Sequence, residues 1–133
     1  MPSLKCIVVT PEETALETEA EFVALPLFDG EIGIFPNHSP MIGRLGFGEM
    51  RIVSGGQTKR YYVDGGFVQV NDNEINVLTG KAVEASTLDA NTAEELLAEA
   101  QKKPVTTDEL LATREKLVDQ ARAQIRVANK PNS

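Results

Sequence analysis

Residues 49–79 read EMRIVSGGQTKRYYVDGGFVQVNDNEINVLT. Four short runs rich in β-branched, aliphatic and aromatic residues, Glu49 to Val53, Lys59 to Val63, Phe67 to Val70 and Glu74 to Thr79, have the length of strands. Between them lie Ser54-Gly55-Gly56-Gln57, Asp64-Gly65-Gly66 and Asn71-Asp72-Asn73, residue types that reach positive φ at little cost and close hairpins. Met50 and Ile52 flank Arg51, and Ile75 and Val77 flank Asn76, so each run offers one apolar face to a core. The expected local structure is a series of antiparallel strands.

Upstream, Leu4 to Val9, Glu21 to Leu27 and Glu31 to Phe35 repeat the pattern, with Asp29-Gly30 as a further turn. Two such sheets facing each other make a β-sandwich. From residue 87 the period changes. Ala93, Leu96, Leu97 and Ala100 share one helical face, and Leu110, Leu117, Ala121, Ile125 and Ala128 form a second stripe. Asp89, or Asn91 with Glu94, suits the start of the first helix. Thr106 with Glu109 reads as a capping box for the second, and Lys102 to Val105, with Pro104, is the connection. The fold class expected is α+β, mainly β: an N-terminal antiparallel β-sandwich over residues 1–86, then an antiparallel two-helix hairpin over 87–133. A hairpin with narrow, alanine-rich stripes is too small to stand alone and must lie on the sandwich or on a partner.

Composition bounds the function. The 133 residues have 41% hydrophobic and 25% charged side chains, and no apolar run approaches the roughly 20 residues that span a bilayer. The start, MPSLKCIVV, has neither the pattern of a secretory signal nor that of a transit peptide, so the chain is expected to stay in the compartment of its synthesis. Thirteen basic against twenty acidic residues, net −7, argue against nucleic acid as a partner. Residues 1–86 hold 6 basic and 12 acidic groups and residues 87–133 hold 7 and 8, so the two parts face different electrostatic neighbours.

Catalytic chemistry is not evident. One histidine and one cysteine cannot assemble a zinc site, and Cys6, in an apolar strand pattern, reads as buried filler. A triad drawn from His38, Ser39 and a carboxylate fails because adjacent residues of an extended segment point to opposite sides. Gly43, Gly46 and Gly48 do not form a phosphate-cradling loop, and the carboxylates show no acid and base pairing. No cofactor, metal or enzymatic activity is expected.

The most specific segment is Gly30-Glu31-Ile32-Gly33-Ile34-Phe35-Pro36-Asn37-His38-Ser39-Pro40, followed by Gly46 and then Met50-Arg51-Ile52. With Gly65-Gly66-Phe67, Asn73 to Leu78, the helix start at Asp89, Ala121-Arg122-Ala123 and Arg126-Val127-Ala128, the chain resembles epsilon subunits of F-type ATP synthases over nearly its whole length. That resemblance implies a non-catalytic rotor subunit of the central stalk, coupling the gamma subunit to the membrane ring and inhibiting ATP hydrolysis through its C-terminal helices. It implies that Asp29, Gly30 and Glu31 meet the ring, and that His38, Pro40 and Met41 lie near gamma. Arg114, Arg122 and Arg126, with Lys130, would face an acidic loop of the catalytic beta subunit; read from residues alone they are a solvated face suited to the helix dipole. Some family members bind ATP through an Ile/Leu-Asp-x-x-Arg-Ala pattern. Here the run is Leu88-Asp89-Ala90-Asn91-Thr92-Ala93, with Thr92 where the arginine would stand, so Asp89, Arg122 and Arg126 imply weak ATP binding or none. The implied location is the cytoplasmic face of a bacterial inner membrane, with the thylakoid membrane as alternative. A free-standing small-molecule-binding sandwich with a helical lid is the competing function, and a small hydrolase using His38 is the weakest reading.

Overall fold

The computed structural model describes residues 3–130. Eight strands precede two helices: β1 Leu4–Val9, β2 Thr14–Ala20, β3 Phe22–Leu27, β4 Gly30–Ile34, β5 Met41–Ser54, β6 Gln57–Asn71, β7 Glu74–Leu78, β8 Ala82–Glu84, α1 Ala90–Gln101 and α2 Asp108–Asn129. Strand order is β2-β1-β7-β6-β5-β3-β4, with β8 pairing β6. The mainly β architecture followed by a two-helix hairpin matches the expectation.

Two expectations about connection fail. Strands β1 and β7 run parallel, with Cys6 opposite Ile75 and Val8 opposite Val77, so the sheet is not antiparallel throughout. Asp64-Gly65-Gly66 is no hairpin turn either, since the two flanking runs belong to one 15-residue strand, β6. Gly65 and Gly66 have φ of +72° and +105°, and they bend the strand. Before the bend β6 pairs β8 through Tyr61–Val63, and after it β6 pairs β7 through Phe67–Asn71, so two glycines redirect a strand between partners. The turns Gly55-Gly56 and Asp72-Asn73 do close two-residue hairpins, with positive φ at both central residues. Strand β2, the first half of β5 and β8 lay outside the expected runs.

The core combines residues of β1, β3, β4, β5, β6 and β7, among them Leu4, Cys6, Val8, Val23, Leu25, Ile34, Met50, Ile52, Val68 and Val77. Cys6 is fully buried there, and burial pushes its thiol up to about 12, which removes the thiolate that reacts.

Asp89 caps α1, its carboxylate accepting from the Asn91 backbone N–H at 2.9 Å. The second cap is Thr107 rather than Thr106, its hydroxyl accepting from the Leu110 N–H at 3.1 Å. Glu109 then stands one position too early to reach back, so the expected capping box is replaced by a simple cap with Asp108 and Glu109 favouring the helix N-terminus.

Candidate functional site

Strands β5 and β6 carry alternate residues on two faces, and the face away from the core holds Glu49 and Arg51 opposite Tyr62 and Arg60. Helix α2 lies on this face. Tyr62 is fully buried against Ala123 and Val127, with Phe47, Val83 and Leu88 around it. Of the stripe expected on α2, Ala121 is buried, whereas Leu110 is 39% exposed. The residues pressed on the sheet, Ala123 and Val127, lie on a second face that the stripe did not include. Its apolar contact is therefore small, because alanine removes little surface from water.

Polar groups complete the attachment. Glu49 is buried, and its Oε2 accepts from Arg60 Nε at 2.6 Å while its Oε1 accepts from Lys130 Nζ at 3.0 Å. Arg60 also donates to the carbonyls of Val127 at 2.9 Å and Lys130 at 3.2 Å. A cation thus satisfies the last carbonyls of α2, where the helix dipole favours positive charge. About two turns earlier, Gln120 Nε2 donates to both oxygens of Asp64 at 3.0 Å, and the Tyr62 hydroxyl donates to Asp64 Oδ1 at 2.8 Å. Burial, reinforced by that bond to Asp64, raises the Tyr62 phenol well above its ordinary value.

Burial alone would raise the Glu49 carboxyl, yet the hydrogen bonds from Lys130 and Arg60 outweigh it and hold the group below the ordinary glutamate range. A carboxylate whose pKa is depressed on folding stabilises the fold above its unfolded pKa and loses that contribution as pH falls through the folded one. The stability gap between the native chain and Glu49→Gln should be constant above about pH 5 and close progressively below about pH 4.3. Urea unfolding at a series of pH values checks this, and a gap independent of pH down to 3 would contradict the pairing.

The β3–β4 turn presents Phe28, 67% exposed, beneath the Arg44 guanidinium at 5.7 Å, and Asp29 beside it. Gly30 adopts φ +141°, open to glycine and strained for other residues. Glu31 is half-exposed and accepts two bonds from Arg51, at 2.8 and 3.0 Å, a bidentate pair that anchors it to β5.

Beyond β4, the His38 Nδ1–H donates to the Ser39 carbonyl at 2.7 Å, and the Asn37 N–H donates to Asn73 Oδ1 at 2.6 Å, tying this loop to the β6–β7 turn. Pro40 is exposed, whereas Met41 packs partly into the core. Its neighbour Ile42 faces outward instead, 77% exposed, and Phe67 and Leu78, paired across β6 and β7, are 59% and 54% exposed. Together they form an apolar ridge on the outer face of β5, β6 and β7 that sequence reading passed over. The available signal was Phe67 at a position alternating with the core residue Val68.

The basic residues of α2 do not form one uniform face. Lys130 is paired, Arg114 is half-buried with an inward Nε, and Arg122 and Arg126 border an open cleft of about 610 Å³ with Arg44, Lys116, Asp64 and Asp119. Asp89 does not line that cleft, and its two carboxylate oxygens accept from the Asn91 N–H and the Thr92 hydroxyl. No group of three or more potential metal ligands occurs among the described residues.

Residues 3–85 match the family model for the β-sandwich domain of the ATP synthase delta/epsilon chain. The chain is 48% identical over 126 residues to the ATP synthase epsilon chain of Rhodopirellula baltica, covering 95% of this chain and 98% of that one. It is 39% identical to the ATP synthase epsilon chain of Delftia acidovorans, with 96% and 88% covered. Among solved structures, a chain of the Euglena gracilis mitochondrial ATP synthase superposes with a TM-score of 0.85 at 20% identity, over 98% of this chain and 83% of that one. A chain of the Tetrahymena thermophila mitochondrial ATP synthase central stalk and c-ring does so with 0.76 at 13% identity, over 95% and 96%.

Proposed function

We propose that this chain, which belongs to the ATP synthase epsilon family, couples the gamma subunit to the membrane ring through its sandwich and restrains ATP hydrolysis through its helices. As an epsilon chain it is a non-catalytic subunit of the central stalk. The division of labour falls at residues 86 and 87, with partner surfaces on the first part and the brake on the second.

The observation that carries the braking role is the mode of attachment of α2. Twenty-two residues, about 33 Å at 1.5 Å per residue, are held to the sheet by Ala123, Val127 and a few polar bonds rather than by a broad apolar seam. Such a helix can leave the sheet without unfolding the sandwich, and regulation follows from the populations of docked and extended states. Extended, it would carry Arg114, Arg122 and Arg126 to an acidic loop of the beta subunit. Location at the cytoplasmic face of a bacterial inner membrane follows from attachment to the ring. No helix among the described residues is long and apolar enough to cross a membrane.

The ridge of Ile42, Phe67 and Leu78, with His38 and Pro40 on the loop that leads into β5, suits the gamma contact, since exposed large apolar groups clustered on one sheet face mark interaction sites. Asp29, Gly30 and Glu31 form the ring contact. Arg122 and Arg126 supply cations for a weak ATP contact, and the engagement of Asp89 in its own cap, with Thr92 beside it, keeps that contact weak.

The test is binding to gamma by Ile42→Glu and Phe67→Glu. Substitution of exposed side chains leaves the fold nearly unchanged, within about 0.5 kcal/mol, whereas loss of a central apolar contact weakens association about tenfold or more. Unchanged affinity in the double variant would refute this surface as the gamma contact.

A further inference from the structure

Charged groups connect the β3–β4 turn to the far end of α2 without a gap. Glu31 on β4 holds both terminal nitrogens of Arg51, at 2.8 and 3.0 Å. Arg51 Nη1 also lies 3.4 Å from Glu49 Oε1, the same oxygen that accepts from Lys130 at 3.0 Å. The other oxygen of Glu49 takes Arg60, which in turn holds the Val127 and Lys130 carbonyls. Glu49 Oε1 is thus shared between Arg51 and Lys130.

We propose that Glu31 sets the strength of the α2 latch by holding Arg51 to a long, 3.4 Å contact with Glu49 Oε1. With Glu31 neutralised, Arg51 turns its full charge on Glu49 Oε1 and displaces Lys130, whose side chain is 49% exposed and has water as an alternative. The repulsion of Arg51 toward Arg60 and Lys130 rises at the same time, because the Glu31 carboxylate no longer balances it. Both effects loosen the last two turns of α2. Removing Arg51 has the opposite sign: it leaves Glu49 Oε1 wholly to Lys130, and Glu31 then has no route to the helix.

A basic side chain that took Glu31 from outside would act as the substitution does, so the turn proposed to meet the ring would report its occupancy to the helices. That extension rests on the functional reading above. The coupling itself is a property of the isolated chain and is measured there, so its failure and the failure of the rotor assignment are separate results.

The experiment is hydrogen exchange of residues 117–129 in the full chain, for the native protein, Glu31→Gln, Arg51→Met and the double variant, each normalised to the β1–β7 ladder so that general loosening cancels. Methionine keeps the packing of the arginine stem. Expected are an increase of about threefold to tenfold for Glu31→Gln, as coupling across contacting charges allows, a decrease for Arg51→Met, and no further change when Glu31→Gln is added to Arg51→Met. An unchanged α2 in Glu31→Gln, or the same increase in both backgrounds, would overturn the proposal.

Discussion

Replacing Glu49 with glutamine is expected to weaken docking of α2 by about 3 kcal/mol, the lower end of what breaking a buried ion pair costs. The glutamine keeps the shape but removes the negative charge that Glu49 sets against the buried Arg60 guanidinium, 8% exposed, and releases Lys130 from it. Arg60 retains the carbonyls of Val127 and Lys130, which moderates the loss. A difference of this size raises the undocked population of α2 roughly a hundredfold, since about 1.4 kcal/mol is a factor of ten. Hydrogen exchange over residues 117–129 should accelerate accordingly while the β1–β7 ladder changes little. Protection in α2 equal to that of the native chain would show that the apolar contact of Tyr62 with Ala123 and Val127 suffices alone.

Gly66→Ala should prevent the chain from reaching a stable fold. A Cβ at Gly66 would stand 1.8 Å from the Leu78 carbonyl oxygen and 2.9 Å from the Thr79 Cα, and both are backbone atoms that no rotamer change can move. The residue also sits at φ +105°, outside the region that alanine adopts readily. Relief requires pulling β7 off β6 at the bend, with an expected loss above about 4 kcal/mol, a large part of the 5–15 kcal/mol typical of a domain. Gly55→Ala is the control, since its Cβ would meet nothing within 4 Å, and only the left-handed conformation costs it about 1–2 kcal/mol. Denaturant unfolding of the two variants should separate them clearly. A Gly66→Ala chain as stable as Gly55→Ala would mean that the bend is not as tight as described.

The same glycines show where sequence reading reaches its limit. Gly55-Gly56 and Gly65-Gly66 look alike as residue pairs, and both occupy positive φ. One closes a hairpin and the other bends a strand, because only the first is followed by a run that pairs back on its predecessor. The strand β2 was missed since its sequence, TALETEA, alternates small and charged residues as an exposed edge does. The helices were legible from their period, yet the face of α2 that meets the sheet was not. That contact is marked on β6, where consecutive Tyr61, Tyr62 and Val63 are all buried, so both faces of the strand are covered.

Of the expected site residues, Asp29, Gly30 and Pro40 are exposed and His38 partly so, all at turns, loops or a strand end, as their Gly, Pro and Asp neighbours in the sequence suggest. Glu31 and Lys130 are different. Their ion pairs join residues 20 and 81 positions apart, and neither periodicity nor composition predicts such partners. Ile42 was hidden behind Met41 for a simpler reason, the register of β5, which a shift of one residue inverts.

The most direct measurement is ATP hydrolysis by the matching epsilon-depleted catalytic head with gamma, supplemented with the whole chain or with residues 1–86. Both forms should bind, and only the whole chain should inhibit. Inhibition by residues 1–86 to the same degree, or failure of the whole chain to bind, would contradict the account of helices as the brake of a rotor subunit.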